Sequence, residues 1–149
     1  MPQIMIIGSG FGALTAVREL RRRKVTDPVT LISPRSDLHY VPSSIWIASG
    51  GAQGKDLRIP LQSFFKRHNV TYIEASVTGL QDGGRTVETD KGVFTNDQLI
   101  IASGGRTIRK LPGIEHAVIA CDGIAAGEEI ARRLEILDGG TIAFGFSTN

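Results

Sequence analysis

A chain of 149 residues is long enough for one domain with a substantial core and short for two. Its 41% hydrophobic residues, 21% charged residues and 18 glycines fit an α/β protein, and a net charge of +2 gives no reason to expect a nucleic-acid partner. A single cysteine, Cys121, excludes an internal disulfide framework, and the scattered His39, His68 and His116 lack ligand spacing, so no metal site is expected.

The first apolar run, Ile4–Ile7, reads as a strand buried on both faces of a parallel sheet. Ala13, Leu14, Ala16, Val17 and Leu20 then recur at helical spacing, which predicts an amphipathic helix over residues 11–24. The basic run Arg21-Arg22-Arg23-Lys24 reads as its solvated C-terminal end, where cations complement the helix dipole. A second strand over 29–32 completes a βαβ unit. Residues 33–58 carry no sustained period, and a loop of that length in a compact domain is usually functional. Pro60 suits the first turn of a helix with Leu61, Phe64, Phe65 and His68 on one stripe.

Residues 70–73 read as a third strand. Short alternating runs around Val77, Val87 and Val93, separated by Asp82-Gly83-Gly84 and Asp90-Lys91-Gly92, predict an inserted antiparallel meander. Leu99-Ile100-Ile101-Ala102 is another buried strand. Beyond the Pro112-Gly113 linker, Asp122 is expected to cap a helix with Ala126, Ile130, Leu134 and Leu137 on one face, and residues 141–146 to begin a further strand. The fold class expected is α/β: a Rossmann-like parallel sheet with helices on both faces and a small antiparallel β-meander. The expected division is a nucleotide-binding domain over 1–114, then a linker helix and the first strand of a truncated second domain over 115–149.

Gly8-Ser9-Gly10-Phe11-Gly12-Ala13 matches G-x-G-x-x-A between a predicted strand and a predicted helix. The first glycine permits the tight turn, the second lets the backbone approach a pyrophosphate, and the small Ala13 lets helix and strand pack closely. The helix N-terminus adds unpaired N–H donors for the anion. The acidic residue that usually follows the second strand and binds a ribose hydroxyl is replaced by Ser33, followed by Pro34 and Arg35. Serine still offers a hydroxyl to the ribose. Arg35 either faces an adenosine 2′-phosphate or is a solvated loop residue.

Thr95 lies seven residues before Ala102-Ser103-Gly104. The spacing resembles the second flavin signature of two-dinucleotide-domain flavoproteins, with Ser103 in place of the central threonine. Together the two signatures favour FAD as the cofactor. The resemblance also places Val77 where this superfamily holds the adenine through backbone groups, although core packing explains a lone valine equally well.

A finer resemblance, covering essentially the whole chain, is to sulfide:quinone oxidoreductases. It rests on the sequence ending in Ser33, on Tyr40-Val41-Pro42-Ser43 with Trp46, on Ile59-Pro60-Leu61, on the Ala-Ser-Gly turn and on Leu111-Pro112-Gly113. The likeness implies a loop through Pro42 beneath the flavin ring, and transfer of two electrons from sulfide through FAD to a quinone. The family's reactive cysteine pair lies beyond this region, which makes Cys121 an auxiliary thiol or an inert one. Ser147, where a nicotinamide-binding fingerprint would carry its second glycine, disfavours a nicotinamide donor. Two alternatives stay open: a fragment of an NAD(P)H-dependent flavin reductase resembling type II NADH dehydrogenases, and a non-enzymatic nucleotide-binding module.

No apolar stretch reaches the ~20 residues of a membrane helix and no secretory signal is visible. A cytoplasmic location with at most peripheral membrane contact is therefore expected. Family members complete their FAD domain with a late C-terminal segment. The isolated chain is accordingly expected to hold FAD weakly and to expose a sheet edge or apolar patch that invites self-association.

Overall fold

The computed structural model describes residues 1–145. Its centre is a parallel sheet of β1 (Ile4–Ile7), β2 (Val29–Ser33), β5 (Val70–Glu74) and β9 (Gln98–Ile101), in the order β5-β2-β1-β9. Between them lie α1 (Phe11–Arg22), β3 (Asp37–His39), α2 (Ile45–Ala48), β4 (Arg58–Pro60), α3 (Gln62–Arg67) and a meander of β6 (Val77–Gln81), β7 (Thr86–Thr89) and β8 (Gly92–Thr95). α4 (Ile124–Glu135) follows the sheet.

β1 and β2 are buried at every residue, the property that makes them read as unbroken apolar runs. Strand side chains alternate between faces, so Ile4, Ile6, Val29 and Leu31 meet Ala13 and Val17 of α1 and Phe65 of α3 on one side. Met5, Ile7 and Ile32 point the other way and meet Ala75 and Val87. Burying side chains of this size contributes roughly 1.5–3 kcal/mol each. The α/β sheet and its inserted meander are as expected, with one difference in the layers. Among the described residues the second face is covered by the meander, where a helix was expected. The meander's turns fold Val87, Phe94 and Val77 back onto Ile7 and Ile32, while Ile101 on the same face is left exposed.

α4 packs on α2 instead of on the sheet. Its buried positions are Ile124 and Gly127, and a Cβ on Gly127 would press on the Ser44 carbonyl at 3.1 Å. This corrects the expected stripe: Leu134 and Leu137 are exposed, because close approach to α2 is possible only on the glycine side. Residues 141–145 pair with no strand, and the expected strand's remainder, Phe146, lies outside the described residues. Pro60, expected in the first turn of the helix, instead ends β4 opposite Asp37, and Leu61 after it caps α3. His68 does pack on the stripe, with its ring 4.4 Å from that of Phe64.

The basic run is more than a solvated helix end. Arg21 donates to the carbonyls of Val25, Asp27, His68 and Asn69, tying the end of α1 to the turns before β2 and β5. Arg22 and Arg23 are exposed and clasp Glu19, whose carboxyl they hold down at about 2.

Candidate dinucleotide site

The first glycine turn leaves β1 with Gly8 at φ +110, a backbone conformation that favours glycine. The Gly8 amide donates to the Ile32 carbonyl, and a Cβ at this position would collide with the Ala102 carbonyl, lying 2.7 Å from its carbon. Ala102 in turn donates its amide to Ile7. The two sequence signatures, more than ninety residues apart, are thus in direct backbone contact. Gly12 faces Ala102 at 3.6 Å for its hypothetical Cβ, and Ala13 is fully buried in the core.

Gly10 is different. It caps α1 with ordinary φ and ψ, no side chain occupies the cap, and a Cβ would meet nothing within 4 Å. The first N–H groups of α1 therefore open onto free space at the positive end of the helix dipole. Phe11, half exposed, stands beside that opening with its ring edge-on to Tyr40, the centroids 5.8 Å apart.

Ser33 ends β2 and is 4% exposed. Its hydroxyl lies 2.9 Å from the Ser9 hydroxyl, 2.9 Å from the Arg35 carbonyl and 3.3 Å from the Arg35 amide. Pro34 is exposed, and Arg35 extends from the same loop with a loose 3.6 Å ion pair to Asp37.

Next to the second turn lies a cleft of roughly 770 Å³ lined by Arg35, His39, Arg58, Ser103, Arg109 and Cys121, among others. Burial, then the charge of Arg35, holds the His39 imidazole below the usual histidine range. Asp122 was expected to cap α4. Gly123 takes that position, because the Asp122 carboxylate accepts hydrogen bonds from Thr107 at 2.7 Å and Arg109 at 2.6 Å. Those bonds, Thr107 foremost, hold it below the ordinary carboxylate value. Val41 lines the cleft and the exposed Pro42 does not. Gly104 follows Ser103 in a left-handed turn, φ +79. Val77 packs on the second core, outside the cleft lining.

A turn that leaves the N-terminus of α1 open, backed by a second turn from a distant strand, is a dinucleotide-binding arrangement. The family model for pyridine nucleotide-disulphide oxidoreductases matches residues 2–147. The chain belongs to that family. Members of the pyridine nucleotide-disulphide oxidoreductase family are FAD-binding flavoproteins, so the cofactor is FAD. The open space at Gly10 and the unpaired donors of α1 fit its pyrophosphate.

Among similar proteins is the type II NADH:quinone oxidoreductase of Staphylococcus saprophyticus, 26% identical over 137 residues, covering 89% of this chain and 34% of that protein. The sulfide:quinone oxidoreductase of Aquifex aeolicus shares the fold with a TM-score of 0.81 at 24% identity, over 91% of this chain and 32% of that one. NDH2 from Plasmodium falciparum in complex with NADH does so with a TM-score of 0.73 at 22% identity, over 89% of this chain and 28% of that one. The chain spans about a third of the length of these relatives. No helix among the described residues is long and apolar enough to cross a membrane.

The sequence reading missed three participants in this region. Ser9 was treated as a spacer, Asp122 as a cap and Arg109 not at all. The serine's hydroxyl was a usable signal, since a polar side chain inside a buried glycine turn needs a partner. The Arg109–Asp122 pair spans thirteen residues of irregular chain and has no local signature.

Proposed function

We propose that this chain is the FAD-binding portion of a flavoprotein oxidoreductase that takes electrons from sulfide and delivers them to a quinone. FAD, when bound, accepts an electron pair and releases it to a quinone. The chain's own part is to hold and orient. In this reading the 8–13 turn and the first N–H groups of α1 bind the pyrophosphate, the loop 33–35 borders the adenosine, and Ala102, Ser103 and Gly104 close on the nucleotide from the β9 side. The backbone near Val77 completes the adenine contact, and Pro42 stiffens the loop under the flavin. The observation that carries the choice of sulfide is the exposed Cys121 thiol, which lines the same cleft as Ser103.

A second reading has NADH as the donor and keeps the quinone. It is favoured by the identity to type II NADH:quinone oxidoreductases. Ser147, whose side chain was expected to disfavour a nicotinamide donor, lies outside the described residues. In both readings the protein's contact with a quinone-bearing membrane is peripheral, on its cytoplasmic side.

The test is anaerobic reduction of the flavin in the full-length protein, followed by its visible absorbance. Sulfide is expected to bleach the flavin and a quinone to restore it, with Cys121→Ser slowing the sulfide step several-fold while leaving flavin content unchanged. Bleaching by NADH and not by sulfide replaces this reading with the second. A flavin that neither donor bleaches points to a non-enzymatic nucleotide-binding module.

A further inference from the structure

The serine at the end of β2 occupies the position from which a side chain ordinarily reaches a ribose hydroxyl. A serine hydroxyl has one proton to donate and two lone pairs to accept with. At Ser33 they meet partners inside the protein. Its proton lies towards the Arg35 carbonyl at 2.9 Å, the oxygen accepts the Arg35 amide at 3.3 Å, and it shares a hydrogen bond at 2.9 Å with the Ser9 hydroxyl, which itself lies 3.5 Å from the Asp37 carbonyl. The residue is 4% exposed, and its carbonyl is held as well, by the Tyr72 hydroxyl at 2.9 Å and the Ala75 amide at 3.2 Å. The Ser33 side chain is engaged within the protein and turned away from solvent.

What Ser33 does instead is join two walls. Ser9 sits between Gly8 and Gly10 in the phosphate-binding turn, and the segment 35–39 reaches the cleft through Arg35 and His39. We propose that the Ser9–Ser33 hydroxyl pair is a clasp that sets the spacing between the glycine turn and the 35–39 wall. Ser33 is then a positioning residue: it acts on the adenosine half of the nucleotide through the loop it holds and never touches the ribose. The inference rests on the FAD reading for its ligand but on the hydrogen bonds alone for the clasp.

Two measurements on the full-length protein test it, with Ser9→Ala and Ser33→Ala and the double variant. The first is amide hydrogen exchange over residues 34–39, which needs no ligand. Either single variant is expected to speed exchange there about fivefold, the loss of one ordinary hydrogen bond. Unchanged exchange in both overturns the clasp, whatever the protein binds.

The second is displacement of FAD by ADP and by 2′-deoxy-ADP. Positioning predicts that each single variant weakens both nucleotides by the same factor, about fivefold, and that the double variant is no worse than either. If Ser33→Ala weakens ADP while leaving 2′-deoxy-ADP unchanged, and Ser9→Ala is silent, the serine touches the ribose and the proposal is wrong. Faster exchange with both affinities at the wild-type value reduces the pair to a stability feature and also overturns it. A wild-type protein that binds no FAD fails the cofactor reading separately, and the exchange experiment still decides the clasp.

Discussion

The turn at residues 8–13 and the turn at residues 102–104 lie against each other, yet they are held in different ways. The first is fastened at three points, Gly8 to Ile32, Ser9 to Ser33 and Ala13 into the core, and is open at Gly10 and Phe11. The second is fastened only at its start, where Ala102 bonds to Ile7, and residues 103–113 are then exposed throughout. The first turn is therefore the rigid half of this arrangement, and the second turn with the loop after it is the open half. The open half is bordered by the Arg109–Asp122 pair, and α4, which follows that pair, packs on α2.

The sharpest way to break this contrast is at the point where the turns meet. Gly8→Ala adds a Cβ in a left-handed backbone conformation and against the Ala102 carbonyl, and neither backbone can give way without breaking a strand pair. The expected loss is about 3 kcal/mol or more, enough to remove much of a domain's stability, read by chemical denaturation. A variant as stable as the wild type would show that the two turns are not in contact.

Gly10→Ala separates the roles of the two glycines. Its Cβ meets no protein atom, so stability should fall by no more than ~1 kcal/mol, the cost of alanine at a helix cap. Affinity for FAD should fall about tenfold or more, because the added methyl stands where the pyrophosphate approaches. Equal losses at Gly8 and Gly10 would mean that the first turn is purely structural.

The smallest effect belongs to the open half. Arg109→Gln removes one of two donors that hold the Asp122 carboxyl low, and the Asp122 midpoint followed by NMR should move upward while Thr107 keeps part of the shift. The sign for stability follows. The pairing is fully present above the ordinary aspartate pKa near ~3.9 and is lost as pH falls through the lowered value. A midpoint that does not move on removing Arg109 would leave Thr107 as the sole cause.

The parts legible in the sequence were those whose signal is local. β1 and β2 announced themselves because strands buried on both faces are apolar at every position, and the meander because Asp82-Gly83-Gly84 and Asp90-Lys91-Gly92 can do little else but turn. The parts that were not legible depend on distance in space. Arg21 looks like its neighbours Arg22 and Arg23 until residues 68 and 69 arrive beside it. Ser33 keeps the hydroxyl a ribose contact needs, and the nearness of Ser9, together with the Arg35 backbone two residues on, shows that the hydroxyl is already taken. The packing face of α4 had a local clue in Gly127, since a glycine inside a helix usually marks a close approach. The apolar spacing of Ile130 and Leu134 outweighed it.

The strand order also bears on how the chain is made. β1 sits between β2 and β9, and Ile4 pairs with Val29 on one side and with Gln98 on the other. As the protein leaves the ribosome, the first pairing forms within some thirty residues, while the second must wait until Gln98–Ile101 has been synthesised. During that interval the most apolar strand of the molecule presents a bare hydrogen-bonding edge to whatever is nearby. The last strand of the sheet to be made therefore ends a period of exposure that began with the first.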